Sequence, residues 1–279
     1  MPNSVFDPAI TPLRWARISW VALALTLTSA AQAQEIKIGG TGAALGTMQR
    51  LAHAYANTLA DATITVLPSM GSGGGIKAVL AGAIQIGVSS RPLSEAETRA
   101  GAVSVEYGRT PFVFATSAGN KVTGITTQSL ADFYAGKVEQ WPDGSRVRLV
   151  LRPIGDMDSE TIKAMSPAMR EAKLAAEQRK GMLFTVTDQE TASAIEKTPG
   201  ALGPSTLALM VSEKRALKAL TLDGVGPSVQ NIANGSYPLV KQLLMVTGPK
   251  TPPEALAFVS FVQSAAGREI LHQTGHWVK

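Results

Sequence analysis

The chain has 279 residues, 45% of them hydrophobic, and no cysteine, so it can bury a sizeable core but has no disulfide framework and no thiolate metal site. Its 26 basic and 21 acidic residues leave a mild net charge of +5, scattered along the sequence, and aromatics make up only 5%. Neither a nucleic-acid groove nor a base-stacking platform is indicated.

The first 33 residues read as a Sec-type export signal. Arg14 and Arg17 supply a positive region, residues 18–28 an apolar stretch, and Ala31-Gln32-Ala33 a small-x-small processing site. The apolar stretch is short for a membrane span, and the two arginines are not adjacent, as a twin-arginine signal requires. Cleavage after residue 33 would leave a net charge of +4.

Beyond that point strands and helices alternate. A strand over 35–39 leads through Gly39-Gly40-Thr41-Gly42 into a helix over 43–59, with apolar residues at Leu45, Met48, Leu51, Ala52 and Tyr55. A β-branched strand over 62–67 leads through Gly71-Ser72-Gly73-Gly74-Gly75 into a helix over 73–81. A third strand, 84–88, is closed by Ser89-Ser90-Arg91-Pro92. This order implies a parallel sheet with right-handed crossovers, whose ligand site lies beyond the carboxyl ends of the strands. All three corners fall at those ends. Glycines and a serine at the mouth of a helix present N–H groups suited to an oxyanion.

An apolar strand over 112–117 follows, then a second alternating block: a short helix at 129–134, a strand at 147–151 and helical sequence at 159–180 broken near Pro167. A strand at 182–186 and helices at 188–197 and 205–211 come next. A late strand at 239–247 and helices at 253–264 and 266–273 end the chain. Arg152 ends the 147–151 strand, and residues 155–161 turn into the next helix, with Asp158 or Ser159 as N-cap. An arginine beside a third helix N-terminus would complete an anion cage; an ordinary capped helix with a surface arginine is the equal alternative.

Enzyme signatures are sparse. Gly40-x-Gly42 starts like a dinucleotide fingerprint, but Gly46 is one position late and no acidic residue ends the second strand. There is no phosphate loop of the G-x-x-x-x-G-K-[ST] type and no G-x-S-x-G elbow around Ser72. His272 and His276 could share a helix face and hold a metal, but Gly275 intervenes and no third ligand is near, so a structural or solvent-facing role is expected. No cofactor is expected.

Taken in order, Gly40-Thr41-Gly42-Ala43, Gly71-Ser72-Gly73-Gly74-Gly75-Ile76-Lys77 and Ile86-Gly87-Val88-Ser89-Ser90-Arg91-Pro92-Leu93 resemble the periplasmic phosphate-binding protein family, the solute receptors of phosphate ABC importers. Gly200-Ala201-Leu202-Gly203 and Tyr237-Pro238-Leu239 resemble two later strands of that family. The resemblance implies a two-lobed α/β fold of the periplasmic-binding-protein kind (type II-like). Each lobe would be a mostly parallel sheet flanked by helices, joined by two hinge strands near 115–117 and 239–242. The implied lobes are 34–115 plus 242–279, and 116–241. Implied ligand contacts are Ala44 and Leu45 through their backbone, Ser72, Gly73, Ser90, Arg91, Arg152, Asp158, Ser159 and Thr161. The implied ligand is inorganic phosphate or a related oxyanion, and the implied partner an ABC permease complex, with the receptor periplasmic, monomeric and not membrane-embedded. Alternatives are an exported anion receptor with a signalling role, or an exported phosphate-ester hydrolase.

The chain departs from the family pattern in three places. Ala44-Leu45 stands where Thr-Phe is common, Ser90 where an acidic residue is common, and residues 155–161 are longer than the usual G-S-G-T segment. The missing acid matters because a buried carboxylate accepts a hydrogen bond from a protonated phosphate and repels a fully ionised sulfate. Asp156 or Asp158 is the candidate replacement.

Overall fold

The computed structural model describes residues 1–3, 35–57 and 63–278. Two units separate at residues 32 and 33; of the first only the exposed residues 1–3 are described, and the expected signal segment otherwise lies outside the described residues. In the second unit the first block runs β1 (Ile36–Gly40), α1 (Gly42–Ala56), β2 (Ile64–Val66), α2 (Gly71–Ala81), β3 (Ile86–Ser89), α3 (Glu95–Arg99) and β4 (Val103–Ser117). Next come β5 (Gly124–Ile125), α4 (Thr127–Ala135), β6 (Arg148–Leu151), α5 (Met157–Ala164), α6 (Pro167–Gln178), β7 (Leu183–Phe184), α7 (Asp188–Lys197), β8 (Ala201–Thr206) and α8 (Leu207–Ser212). The last elements are β9 (Leu217–Ala219), β10 (Thr221–Leu222), α9 (Val229–Ala233), β11 (Val240–Thr247), α10 (Pro253–Gln263) and α11 (Ala265–Gln273).

One mixed sheet takes the order β2-β1-β3-β11-β4-β8-β6-β7, with β9 also paired to β4. The strands β2, β1 and β3 are mutually parallel, as are β8, β6 and β7. Between these two parallel sets run the antiparallel strands β11 and β4, so the two lobes share a continuous sheet. β4 carries the join. Its residues 103–111 pair with β11, and from Phe112 onward it pairs with β8 and then β9. This change of partner comes earlier on β4 than the 115–117 crossing, while β11 begins inside the expected 239–242 segment.

Each lobe has its own core. Ile36, Ile38, Met48, Leu51, Ile86, Met245 and Phe258 fill the first, where the apolar stripe of α1 meets the sheet and α10. Phe112, Leu130, Tyr134, Leu151, Met169 and Tyr237 fill the second, under α4 and α6. The glycine corners let helix and strand approach closely. A Cβ on Gly75 would lie 2.8 Å from Gly39 O, and one on Gly40, whose φ is +147°, would lie 2.0 Å from Val88 O. Glycine is therefore required there by packing as well as by any ligand.

The lobes also touch away from the sheet, along one face of α1. Gln189 Nε2 donates to Gly42 O at 2.9 Å, and Arg50 donates to Ser212 O through Nε at 3.2 Å and Nη2 at 3.0 Å. Between them a Cβ on Gly46 would meet Ser212 Oγ at 2.5 Å and Glu213 Cγ at 2.7 Å. Gly42, Gly46 and Arg50 are spaced four apart, so they stack along a single helix face.

Candidate functional site

A cleft of about 300 Å³ opens where the lobes face each other, beyond the carboxyl ends of β1, β3 and β6. Thr41, residues 71–73, Ser90 and Arg91 line it from the first lobe, residues 155–158, Arg152 and Asp188 from the second, and Lys241 from β11. The three corners read from the sequence thus converge beyond the carboxyl ends of the strands, where open α/β sheets bind their ligands.

Helix capping sets the first lobe's wall apart. Most of the described helices start with a Ser, Thr or Asp whose side chain accepts from the first turn. The N-caps of α1 and α2, Thr41 and Met70, make no such bond, and Pro252 at α10 has none to make. The first-turn N–H groups of α1 and α2 therefore lack a side-chain acceptor, and both of these helices begin at the cleft. Ser72 Oγ accepts from Ser90 N at 3.0 Å and lies 3.2 Å from Ser90 Oγ, which fixes the two hydroxyls as a pair.

The second lobe contributes a charge network. Arg152 is only 5% exposed. Its Nε and Nη2 donate to Asp156 Oδ1 and Oδ2 at 3.2 and 2.9 Å, and Nη1 donates to Thr185 O and Thr191 Oγ1 at 3.2 and 3.4 Å. Four of its five N–H groups are thereby used within the lobe. Burial works against its charge, but Asp188, Asp156 and Asp158 outweigh that and hold its pKa above the ordinary value. Lys241 pairs with Asp158 and sits 3.9 Å from Asp188 Oδ1. Burial pushes the Asp158 carboxyl above its ordinary range, Lys241 pulls it back, and the carboxylates of Asp188 and Asp156 push the same way as burial.

The sequence-derived residues divide into two groups. Ser72, Gly73, Ser90, Arg91, Arg152 and Asp158 line the cleft together. Arg91 does so with its guanidinium held by Glu97, at 2.9 and 2.7 Å, so its charge is already matched. Ala44, Leu45, Ser159 and Thr161 are not in the lining. Ala44 and Leu45 belong to the core, because α1 starts at Gly42 and Thr41 takes the place at its mouth. Ser159 is buried and donates to Arg152 O at 3.0 Å, holding the arginine's backbone. Thr161 Oγ1 donates back to Met157 O at 2.8 Å, an ordinary intrahelical bond. The N-cap of α5 is Asp156, rather than Asp158 or Ser159: its Oδ1 accepts from Asp158 N at 2.9 Å.

Thr41, Asp188 and Lys241 were not read from the sequence as site residues. A lysine inside the apolar run Leu243-Leu244-Met245-Val246 and its lead-in was the available signal for Lys241. Asp188 was hidden by a capping box, Thr187 with Glu190, that accounts for an acid in a first helical turn. Of the paired histidines, His276 is buried beyond the end of α11 with Nδ1 3.2 Å from both Leu271 O and Thr274 Oγ1, and no group of three potential metal ligands occurs among the described residues. No described helix is long and apolar enough to cross a membrane.

Known proteins share this architecture. The chain is 27% identical over 240 residues to the phosphate-binding protein PstS of Bacillus subtilis, covering 82% of this chain and 75% of that one. It is 23% identical over 248 residues to PstS of Borreliella burgdorferi, covering 86% and 88%. A solved structure with bound phosphate, described as a candidate phosphate ABC transporter substrate-binding protein from Clostridium perfringens, superposes with a TM-score of 0.74 at 22% identity, over 88% of this chain and all of that one. The family model for the PBP superfamily domain matches residues 26–266, and with two lobes, shared hinge strands and a cleft between them, the chain belongs to the PBP superfamily.

Proposed function

We propose that the protein is an exported, periplasmic solute-binding receptor that takes phosphate or a similar tetrahedral oxyanion between its lobes and delivers it to an ABC importer. The reading is carried by one observation above all: two helix N-termini without side-chain caps open into the cleft opposite Arg152. The names and bound ligand of the relatives agree with it. Ser72, Gly73, Ser90 and Thr41 would replace the anion's hydration on one side and Arg152 on the other, with no covalent chemistry. The lobes would divide near 111–115 on the outward strand and 240–242 on the return. Calorimetry on ligand-stripped protein with phosphate, sulfate, molybdate and a small carboxylate tests the reading. Phosphate is expected to bind, and silence from all four at millimolar concentration would sink it.

Asp158 is the acceptor proposed for a protonated ligand. Asp156 already spends both oxygens on Arg152 and the α5 N-terminus, whereas the buried Asp158 carboxylate accepts from Lys241 through one oxygen. Asp158→Asn is expected to lower the phosphate-over-sulfate preference by about tenfold or more, the scale of one charge-assisted hydrogen bond. An unchanged ratio in both Asp156→Asn and Asp158→Asn would remove the carboxylate from the selectivity mechanism.

Closure can be tested independently at Gly46. A leucine there must displace Ser212 and Glu213 across the lobe contact. Overpacking costs about 1–3 kcal/mol. If that cost falls on the closed form alone, phosphate affinity drops by about 5- to 150-fold. Small-angle scattering should show a more open phosphate-saturated state; full affinity in a protein of lowered melting temperature would mean that this contact does not move.

A further inference from the structure

We infer that Lys241 is a direct, specificity-determining ligand of the bound oxyanion, contributed by the hinge strand rather than by either lobe; the inference rests on the receptor function proposed above. Lys241 is 6% exposed and lines the cleft together with Ser72, Ser90 and Arg152. An ammonium has three N–H donors. The one hydrogen bond it makes goes to Asp158, and the next carboxylate oxygen, on Asp188, is 3.9 Å away, outside hydrogen-bond reach. A buried cation with donors unspent is costly unless something else accepts from them. An oxyanion in the cleft is that acceptor. Arg152, with four N–H groups already committed, has less to offer than Lys241.

Charge accounting leads to the same residue. With Arg91 matched by Glu97, the cleft holds Arg152 and Lys241 against Asp156, Asp158 and Asp188. Without Lys241 a single cation would face three carboxylates and an incoming anion. With it, the ammonium can meet an ionised oxygen of the ligand while the neighbouring Asp158 accepts the ligand's proton. This adjacent donor–acceptor pair fits an oxyanion that is both charged and protonated, the class of phosphate and arsenate. A fully ionised sulfate satisfies the lysine but has no proton to donate to Asp158 and sets an anionic oxygen against the carboxylate.

A double-mutant cycle by calorimetry tests this, using wild type, Asp158→Asn, Lys241→Gln and the Lys241→Gln/Asp158→Asn double variant, each with phosphate and with sulfate. Lys241→Gln alone strands the buried Asp158 carboxylate, so the double variant, which replaces the buried ion pair by two amides, carries the decision. It is expected to melt close to Asp158→Asn yet bind phosphate about 10- to 150-fold more weakly, the range of a lost hydrogen bond to a charged group. Sulfate binding should fall alongside. Equal phosphate affinity in the double variant and Asp158→Asn would show Lys241 to be a structural counter-ion and overturn the inference, leaving the receptor reading intact. A wild type that binds neither anion would overturn both.

Discussion

Arg152→Met is expected to weaken phosphate binding by about 10- to 150-fold and to destabilise the fold by about 3–5 kcal/mol, the largest combined effect of any single change in the cleft. The two losses have different causes. Affinity falls because the second lobe loses its cation at the anion site. Stability falls because Asp156 loses its two-point partner and the carboxylates of the cleft lose one of the two cations that face them. Arg152→Lys keeps the charge but not the fork, so it cannot hold Asp156 through two bonds and reach Thr185 and Thr191 at once. Urea melts and calorimetry on Arg152→Met and on Arg152→Met/Asp156→Asn separate the causes. The double variant should regain much of the stability and none of the affinity. Near-normal phosphate binding by either would remove Arg152 from the site.

Local sequence revealed what local physics determines. Two glycine corners and the Ser89-Ser90-Arg91-Pro92 closure, each after a short strand, placed the three loops of the first lobe, and helix α7 appears with the expected limits because a capping box starts it. Pro167 divides the 159–180 helical stretch where expected, opening α6 after the Ser166 cap. The first half of β4 was not legible. Residues 103–111 contain Gly108 and Pro111 and form a strand only because β11, far along the chain, pairs with them. The binding contacts show the same division. Ser72, Ser90 and Arg152 sit at strand ends and could be read from order alone, whereas Lys241 and Asp188 reach the cleft only once the hinge and α7 are in place. Ala44 and Leu45 were carried over by resemblance as backbone contacts; they lie in the first turn of α1, which starts one residue earlier than expected, with their side chains in the core.

Acid is expected to loosen the molecule at the back of the hinge, through His276. The imidazole is fully buried against Tyr107 of β4, with ring centroids 5.9 Å apart, and its Nε2 makes no hydrogen bond. Burial depresses its pKa to about 4, bonds to Leu271 and Thr274 partly resist, and His272 adds a small push in the same direction as burial. The ordinary histidine value is 6.5. Between these two values the unfolded chain takes up a proton that the folded chain refuses, so stability is full above pH 6.5 and declines as the pH falls toward 4. Below 4 both forms are protonated and the loss levels off, at about 3 kcal/mol in total. The strain would fall on a sensitive place. Trp277 pairs with Arg109 on β4, and Thr110 Oγ1 donates to Gly275 O at 2.9 Å and accepts from Ala208 N at 3.0 Å, which ties the C-terminal segment, the hinge strand and α8 together. Thr110 is also the β4 residue opposite Lys241. Urea melts of wild type and His276→Gln from pH 7.5 to 4 should therefore diverge in slope, the variant losing less stability across the window. Parallel curves would show that His276 does not carry the acid sensitivity.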